Sequence, residues 1–236
     1  GGEDRITAYV AAGHVIANHS HSHRHLREME AAHYVADLDR AAEWLRGRPG
    51  LRPWYRYPYL DEGEDVGRRD ALRAALRARG LINGYVTVDL WDWWFDDRVN
   101  EAAAQGQAID RDALRDIFVR SIVEASNFAD ALAVRTLGRS PAHVLLLHES
   151  DTTTQYVDEA VAALRADGWG IVTADEAFAD PIAQIEPDTL MLGGGRIAAI
   201  AHAQGRPDEE LHSQWTNEAM LTRLFRERIL HQAEAP

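Results

Sequence analysis

Helix-periodic stretches alternate with short apolar runs through most of the first 180 residues, and no other feature restricts the fold as much. Residues 27–46 place Met29, Ala32, Val35, Leu38, Ala42 and Leu45 at helical spacing until Pro49, Gly50 and Pro53 interrupt them. Residues 68–79 form an Ala/Leu/Arg helix stopped by Gly80, 110–136 a long helix, and 152–167 a helix stopped by Gly168. Residues 5–12 read as the end of a further helix. Between these lie short runs at 15–17, 54–57, 85–88, 143–147 and 170–173, which read as strands. Strand and helix alternating through short connections imply parallel strands and a (β/α) architecture. Five strands are too few to close a barrel. After Pro181 the character changes: Gly193-Gly194-Gly195 makes a loop, and residues 211–230 look helical. The expected organisation is one domain over 1–180 and, over 181–236, a loop-and-helix extension packed on it.

Composition narrows the function classes. With 236 residues and 46% hydrophobic content the chain can bury one sizeable core. A formal charge of -13 argues against nucleic acid or an anionic membrane as a general partner. All 25 basic residues are Arg, which is compositional bias rather than chemistry. With no Cys there are no disulfides, thiolate metal sites or thiol nucleophiles. No apolar run reaches membrane-spanning length, and residues 1–10 contain no signal-peptide core.

Four polar clusters stand at the C-terminal ends of expected strands, the face on which (β/α) barrels place catalytic groups. The first is Asn18-His19-Ser20-His21-Ser22-His23. His19 and His23 are four apart, so one helical turn would put both rings on one face, where they could share a divalent metal with a carboxylate from elsewhere. A solvent-facing histidine loop fits the same run, and spacing alone favours neither. His21 and His25 read as solvated or substrate-facing, and His14, His33, His202, His212 and His231 as ordinary. The second cluster, Trp54-Tyr55-Arg56-Tyr57-Pro58-Tyr59, sets an Arg among aromatics. The third, Asp89-Leu90-Trp91-Asp92-Trp93, sets two carboxylates among indoles. The fourth puts His148 at the tip of Leu145-Leu146-Leu147. Each alone could be a salt bridge, a turn or a satisfied histidine; the shared position of all four is harder to dismiss.

In this order and spacing the set resembles the polysaccharide deacetylase family, the NodB-homology domain of carbohydrate esterase family 4. Residues 13–23 resemble its metal-binding segment, Arg56-Tyr57-Pro58-Tyr59 its Arg-x-Pro-Tyr segment, Asp89 to Trp93 its Asp-x-x-Asp-Trp segment, and Leu146-Leu147-His148 its Leu-x-His segment. The resemblance runs from about residue 9 to about residue 180. It implies a distorted (β/α) barrel of the NodB type. It also implies a divalent metal, zinc foremost, on His19 and His23, and a carbohydrate substrate. Family members usually work in the periplasm or outside the cell.

By the same resemblance His148 is the general acid, Asp92 its partner and Arg56 the residue that orients the catalytic base. The Tyr59 N–H helps hold the oxyanion, and Trp93 and Leu146 wall the acetyl pocket. The family opens, however, on a Thr-Phe-Asp-Asp-Gly-like strand whose two Asp residues are general base and third metal ligand. Nothing before Gly13 matches it, and Phe95-Asp96-Asp97 stands in the wrong place. The expectation is an incomplete barrel lacking its first strand or strands. Two alternatives stay open: hydrolysis of a non-glycan amide, and a catalytically inactive glycan-binding module.

Overall fold

The computed structural model describes residues 2–191 and 193–232. Helix α1 (Gly2–Ala11) leads into β1 (Ile16–Asn18), which runs parallel to β2 (Leu51–Tyr55), and β2 runs parallel to β3 (Ile82–Asn83). The sheet order is β1-β2-β3, so α2 (Ala31–Leu45) and α3 (Val66–Ala78) are the crossovers that parallel neighbours require. Tyr34 and Leu38 of α2 meet Leu72 and Leu76 of α3 over Tyr55 and Tyr57 in one apolar cluster. Asp65 starts α3 by accepting from the Arg68 N–H at 2.8 Å.

Pro53 lies inside β2 rather than before it. It falls in a register irregularity, since Ile16 pairs with Leu51 but Asn18 with Tyr55. A bulge of this kind is where a central strand tolerates a residue without an N–H.

The second half follows the expected helices more closely than the expected strands. Helices α5 (Arg111–Leu137) and α6 (Asp151–Ala166) form as expected, while α4 (Asp92–Ala104) and α7 (Ala174–Phe178) are helices not expected from the sequence; Thr173 closes a capping box with Glu176 at the start of α7. The strands expected at 85–88 and 143–147 shrink to one parallel bridge between Val88 and Leu145. Two bonds flank it, Thr87 N–H to the Val144 carbonyl (2.9 Å) and Leu146 N–H to the Val88 carbonyl (3.1 Å). Residues 170–173 pair with nothing among the described residues, and Ile171 and Val172 are 50% and 52% exposed. These runs have strand composition but line a cleft of about 720 Å³, with no neighbour across it to complete a ladder. The fold is therefore helix-rich α/β around a small parallel sheet, and the expected count of five strands is too high.

Residues 211–230 are not one helix either. Ser213 accepts from the Trp215 N–H and Asn217 from the Met220 N–H, and these side-chain bonds split the run. Short 3-10 turns precede α9 (Glu218–Leu224), which passes into a π turn over Phe225–Ile229. Trp215, Leu221, Phe225 and Ile229 share a core with Phe118 and Ile122 of α5. Helix α8 (Gly195–Ala203) buries Ile197, Ala198 and Ala201 beside Tyr85, Leu132 and Ala133. No helix among the described residues is long and apolar enough to cross a membrane.

Gly195 begins α8 at φ +77°, and a Cβ there would stand 2.6 Å from the Val86 carbonyl oxygen. Gly138 ends α5 at φ +72° with open space around it. Gly138→Ala should cost only the left-handed penalty of about 1–2 kcal/mol. Gly195→Ala should cost clearly more, because backbone must also move. Urea unfolding of the two variants measures the difference.

Candidate active site

The histidine run leaves β1 as a turn, not as a helix. Buried Asn18 donates its amide to the Leu38 carbonyl (3.1 Å), while its Oδ1 accepts from the Ser20 N–H (2.9 Å). Ser20 and His23 take positive φ of 65° and 52°, and the His23 N–H donates to Ser20 Oγ at 2.9 Å. Asp37, reaching across from α2, accepts the N–H groups of His21 and Ser22. The two rings thus converge through a stitched loop, which corrects the helical-turn expectation while keeping its outcome.

His19 Nδ1 lies 2.8 Å from the Arg56 carbonyl, and a carbonyl only accepts, so Nδ1 carries the proton. Its Nε2 then presents a lone pair to His23 Nε2, 3.1 Å away. Two nitrogens each about 2.0–2.1 Å from one zinc at a tetrahedral angle would stand about 3.3 Å apart. Although the His19 side chain is open to solvent at one edge, packing around it pushes its pKa down to about 4, and burial lowers that of His23 too. Both rings are therefore neutral near pH 7, as metal ligands must be. The donor pair fits a divalent ion. Among the described residues no third His, Cys, Asp or Glu joins it in a metal-holding group.

The second cluster follows β2. The Arg56 N–H donates to the Asn18 carbonyl (3.0 Å) and its Nε to the Gly84 carbonyl (2.8 Å). A Cβ at Gly84 would stand 3.3 Å from the Arg56 nitrogen, so a side chain there would wedge the two segments apart. Burial lowers the Arg56 pKa, and no carboxylate pairs with its guanidinium among the described residues. Tyr59 sits at φ 57° in the turn Pro58–Leu60, and its N–H has no acceptor among the described residues. Its ring stacks on His25 at 3.7 Å and meets His23 edge-on at 4.8 Å. His25, expected to be solvated or substrate-facing, is instead held between Tyr59 and the buried Asp61 carboxylate (3.3 Å).

The third and fourth clusters meet. Asp92, fully buried at the start of α4, accepts from His148 Nδ1 at 2.8 Å, from the His148 N–H at 2.6 Å and from Thr153 Oγ1 at 3.1 Å. The Asp92 bond raises the His148 pKa more than burial lowers it. The charge of His148 is felt at His19 and at His23, which puts all three rings in one locale. Trp93 is 40% exposed beside Trp91, their rings 5.5 Å apart. Leu146 is half-buried on the bridged segment. Asp96 is taken up by the backbone and hydroxyl of Thr152 at the start of α6, a structural use that fits the rejection of Phe95-Asp96-Asp97.

Sequence reasoning missed Asp37, Asp61 and Thr153. None sits in a motif. Only their reach across the fold gives them work, although Thr153 follows the Ser150 helix cap, whose hydroxyl accepts its N–H.

Residues 2–78 match the family model for polysaccharide deacetylase. That span holds the histidine and Arg-Tyr-Pro-Tyr segments, and over it the chain is similar to the polysaccharide deacetylases. No curated protein matches the chain. Among solved structures, a family 4 carbohydrate esterase from Streptomyces lividans in complex with acetate is 21% identical, with 73% of this chain and 72% of that one covered at a TM-score of 0.46.

The His148–Asp92 pair sets a pH dependence. The pair stabilises the imidazolium, so its contribution to stability is full below the ordinary His pKa of about 6.5. It is lost as pH rises through the raised folded value. In a histidine NMR titration the His148 midpoint should lie above that of an exposed histidine, and Asp92→Asn should bring it down. An unmoved midpoint would show that Asp92 does not set it.

Proposed function

We propose that this chain carries the site of a metal-dependent hydrolase that removes N- or O-acetyl groups from a carbohydrate such as a chitin oligomer, peptidoglycan or acetylated xylan. One observation carries the reading: two neutral imidazoles face each other beside a carboxylate-held histidine, and the family match covers the imidazole segment. His19 and His23 would hold the ion, zinc foremost, which supplies Lewis-acid polarisation of the acetyl carbonyl. Every other role falls to side chains and backbone. His148, kept protonated by Asp92, gives its proton to the departing amine or alkoxide. The unclaimed Tyr59 N–H donates to the developing oxyanion; losing one such donor typically costs ~10²–10³ in rate. Arg56 supplies a buried positive charge that would orient a catalytic carboxylate, and Trp93 and Leu146 would flank the acetyl methyl. The base and the third ligand would come from carboxylates outside the described set. A domain over 1–180 with an extension over 181–236, acting in the periplasm or outside the cell, completes the proposal.

A second reading has its own support. Two metal-binding imidazoles with no third ligand among the described residues also suit a catalytically inactive glycan-binding module.

Acetate release from an N-acetylglucosamine oligomer and from acetylated xylan, with zinc supplied, separates the two. In protein that releases acetate, His148→Ala should lower kcat with little change in KM or metal content. His19→Ala and His23→Ala should lose the metal. An effect of His148→Ala confined to KM would reduce that residue to substrate binding. Metal-loaded protein that binds oligomers and releases no acetate would favour the binding module.

A further inference from the structure

Next to the candidate active site lies a second cavity that its chemistry leaves unused. It measures about 530 Å³ and opens between Asp89 and Trp91 on one side and residues 208–217 on the other. Its volume is in the range of small-ligand pockets. Trp91 forms one wall and is held at two points: its N–H donates to the Trp215 carbonyl (3.3 Å), and its ring meets Trp93. Across from it, Gln214 donates its amide nitrogen to Glu124 (2.9 Å) and Asn217 accepts from the Met220 N–H (2.9 Å). Those bonds fix both amides and leave the Gln214 oxygen and the Asn217 nitrogen for a ligand.

Asp89 gives the cavity its chemical preference. Its Oδ2 accepts one bond, from the Gly194 N–H at 3.2 Å, and its other oxygen has no donor among the described residues. Burial raises its pKa, the mark of a carboxylate short of partners. Asp208 and Glu209 stand exposed on the rim, Asp208 3.4 Å from the His202 ring, and His212 also lines the cavity. A cation would relieve Asp89, and an acidic ligand would meet three carboxylates.

We infer that this cavity binds a hexosamine unit carrying a free ammonium group, with its pyranose against Trp91, its hydroxyls on Gln214 and Asn217, and its ammonium toward Asp89. The inference rests on the deacetylase reading for its sugar. Asp89 stands three residues before Asp92, the partner of His148, and the Trp91 ring meets Trp93, so the cavity adjoins the reacting centre. The unit bound here is then a neighbour of the one losing its acetyl group. The amine left by one turnover becomes the preferred occupant for the next, which directs the enzyme to acetylated units beside an existing free amine.

Calorimetric titration at low salt, with the amine protonated, tests this using tetramers of glucosamine and of N-acetylglucosamine. The glucosamine tetramer should bind the zinc-loaded protein at least about tenfold more tightly, a difference of about 1.4 kcal/mol. Asp89→Asn should abolish the preference. The exposed pair Asp208→Asn/Glu209→Gln, which leaves the core untouched, should reduce it. Equal affinity for the two tetramers, or a preference that survives both variants, overturns the inference. Acetate release is read separately on the same protein. Absent release with the amine preference intact would overturn the deacetylase reading alone, and release without the preference would overturn the subsite alone.

Discussion

The parallel pairing of β1 with β2 ends at Arg56, and the site hangs on that junction. The Arg56 N–H donates to the last carbonyl of β1, and the Arg56 carbonyl accepts the proton of His19 Nδ1. One backbone unit therefore closes the sheet, chooses the tautomer of the first imidazole and aims its Nε2 at His23. The guanidinium of the same residue is tied by Gly84 at the start of the next segment. A slip of this register by one residue would turn Arg56 to the other face and leave His19 without its acceptor. Here register and chemistry are one constraint.

Carboxylates do the remaining positioning from buried or backbone-facing places. Asp37 gathers the histidine loop, Asp61 holds His25, and Asp92 holds both the backbone and the ring of His148. Each is answered by N–H or imidazole donors, the condition under which a polar group survives away from water. Asp89 is the exception, with a single donor among the described residues. That contrast separates groups satisfied by the fold from one left for a ligand.

The sequence made the helices legible because their periodicity and caps are local: Asp65, Asp110 and Ser150 all accept from the backbone three residues on. It singled out His19, His23, Arg56, Asp92 and His148 because each sits where an apolar run ends, and the fold brings His19 to His23 and Asp92 to His148. The strands were less readable. Residues 143–147 and 170–173 have strand composition, yet a strand is completed by a neighbour that no local pattern announces. The histidine turn was misjudged for a related reason. A spacing of four suits a helix, but the left-handed Ser20 and His23 are set by Asn18 and Asp37. Residues 211–230 show the same limit, where Ser213 and Asn217 cut a periodic run into pieces.

Residues 215–229 complete the packing of α5. Trp215 reaches back 91 positions to Glu124, and Phe225 and Ile229 cover the face of α5 that holds Phe118 and Ile122. A chain leaving the ribosome therefore makes α5 long before it makes what seals it. During that interval an apolar helix face waits in water, open to chaperones and to other nascent chains. Residues 215–229 thus seal α5, and a polypeptide that stops short of Ile229 leaves that helix face uncovered.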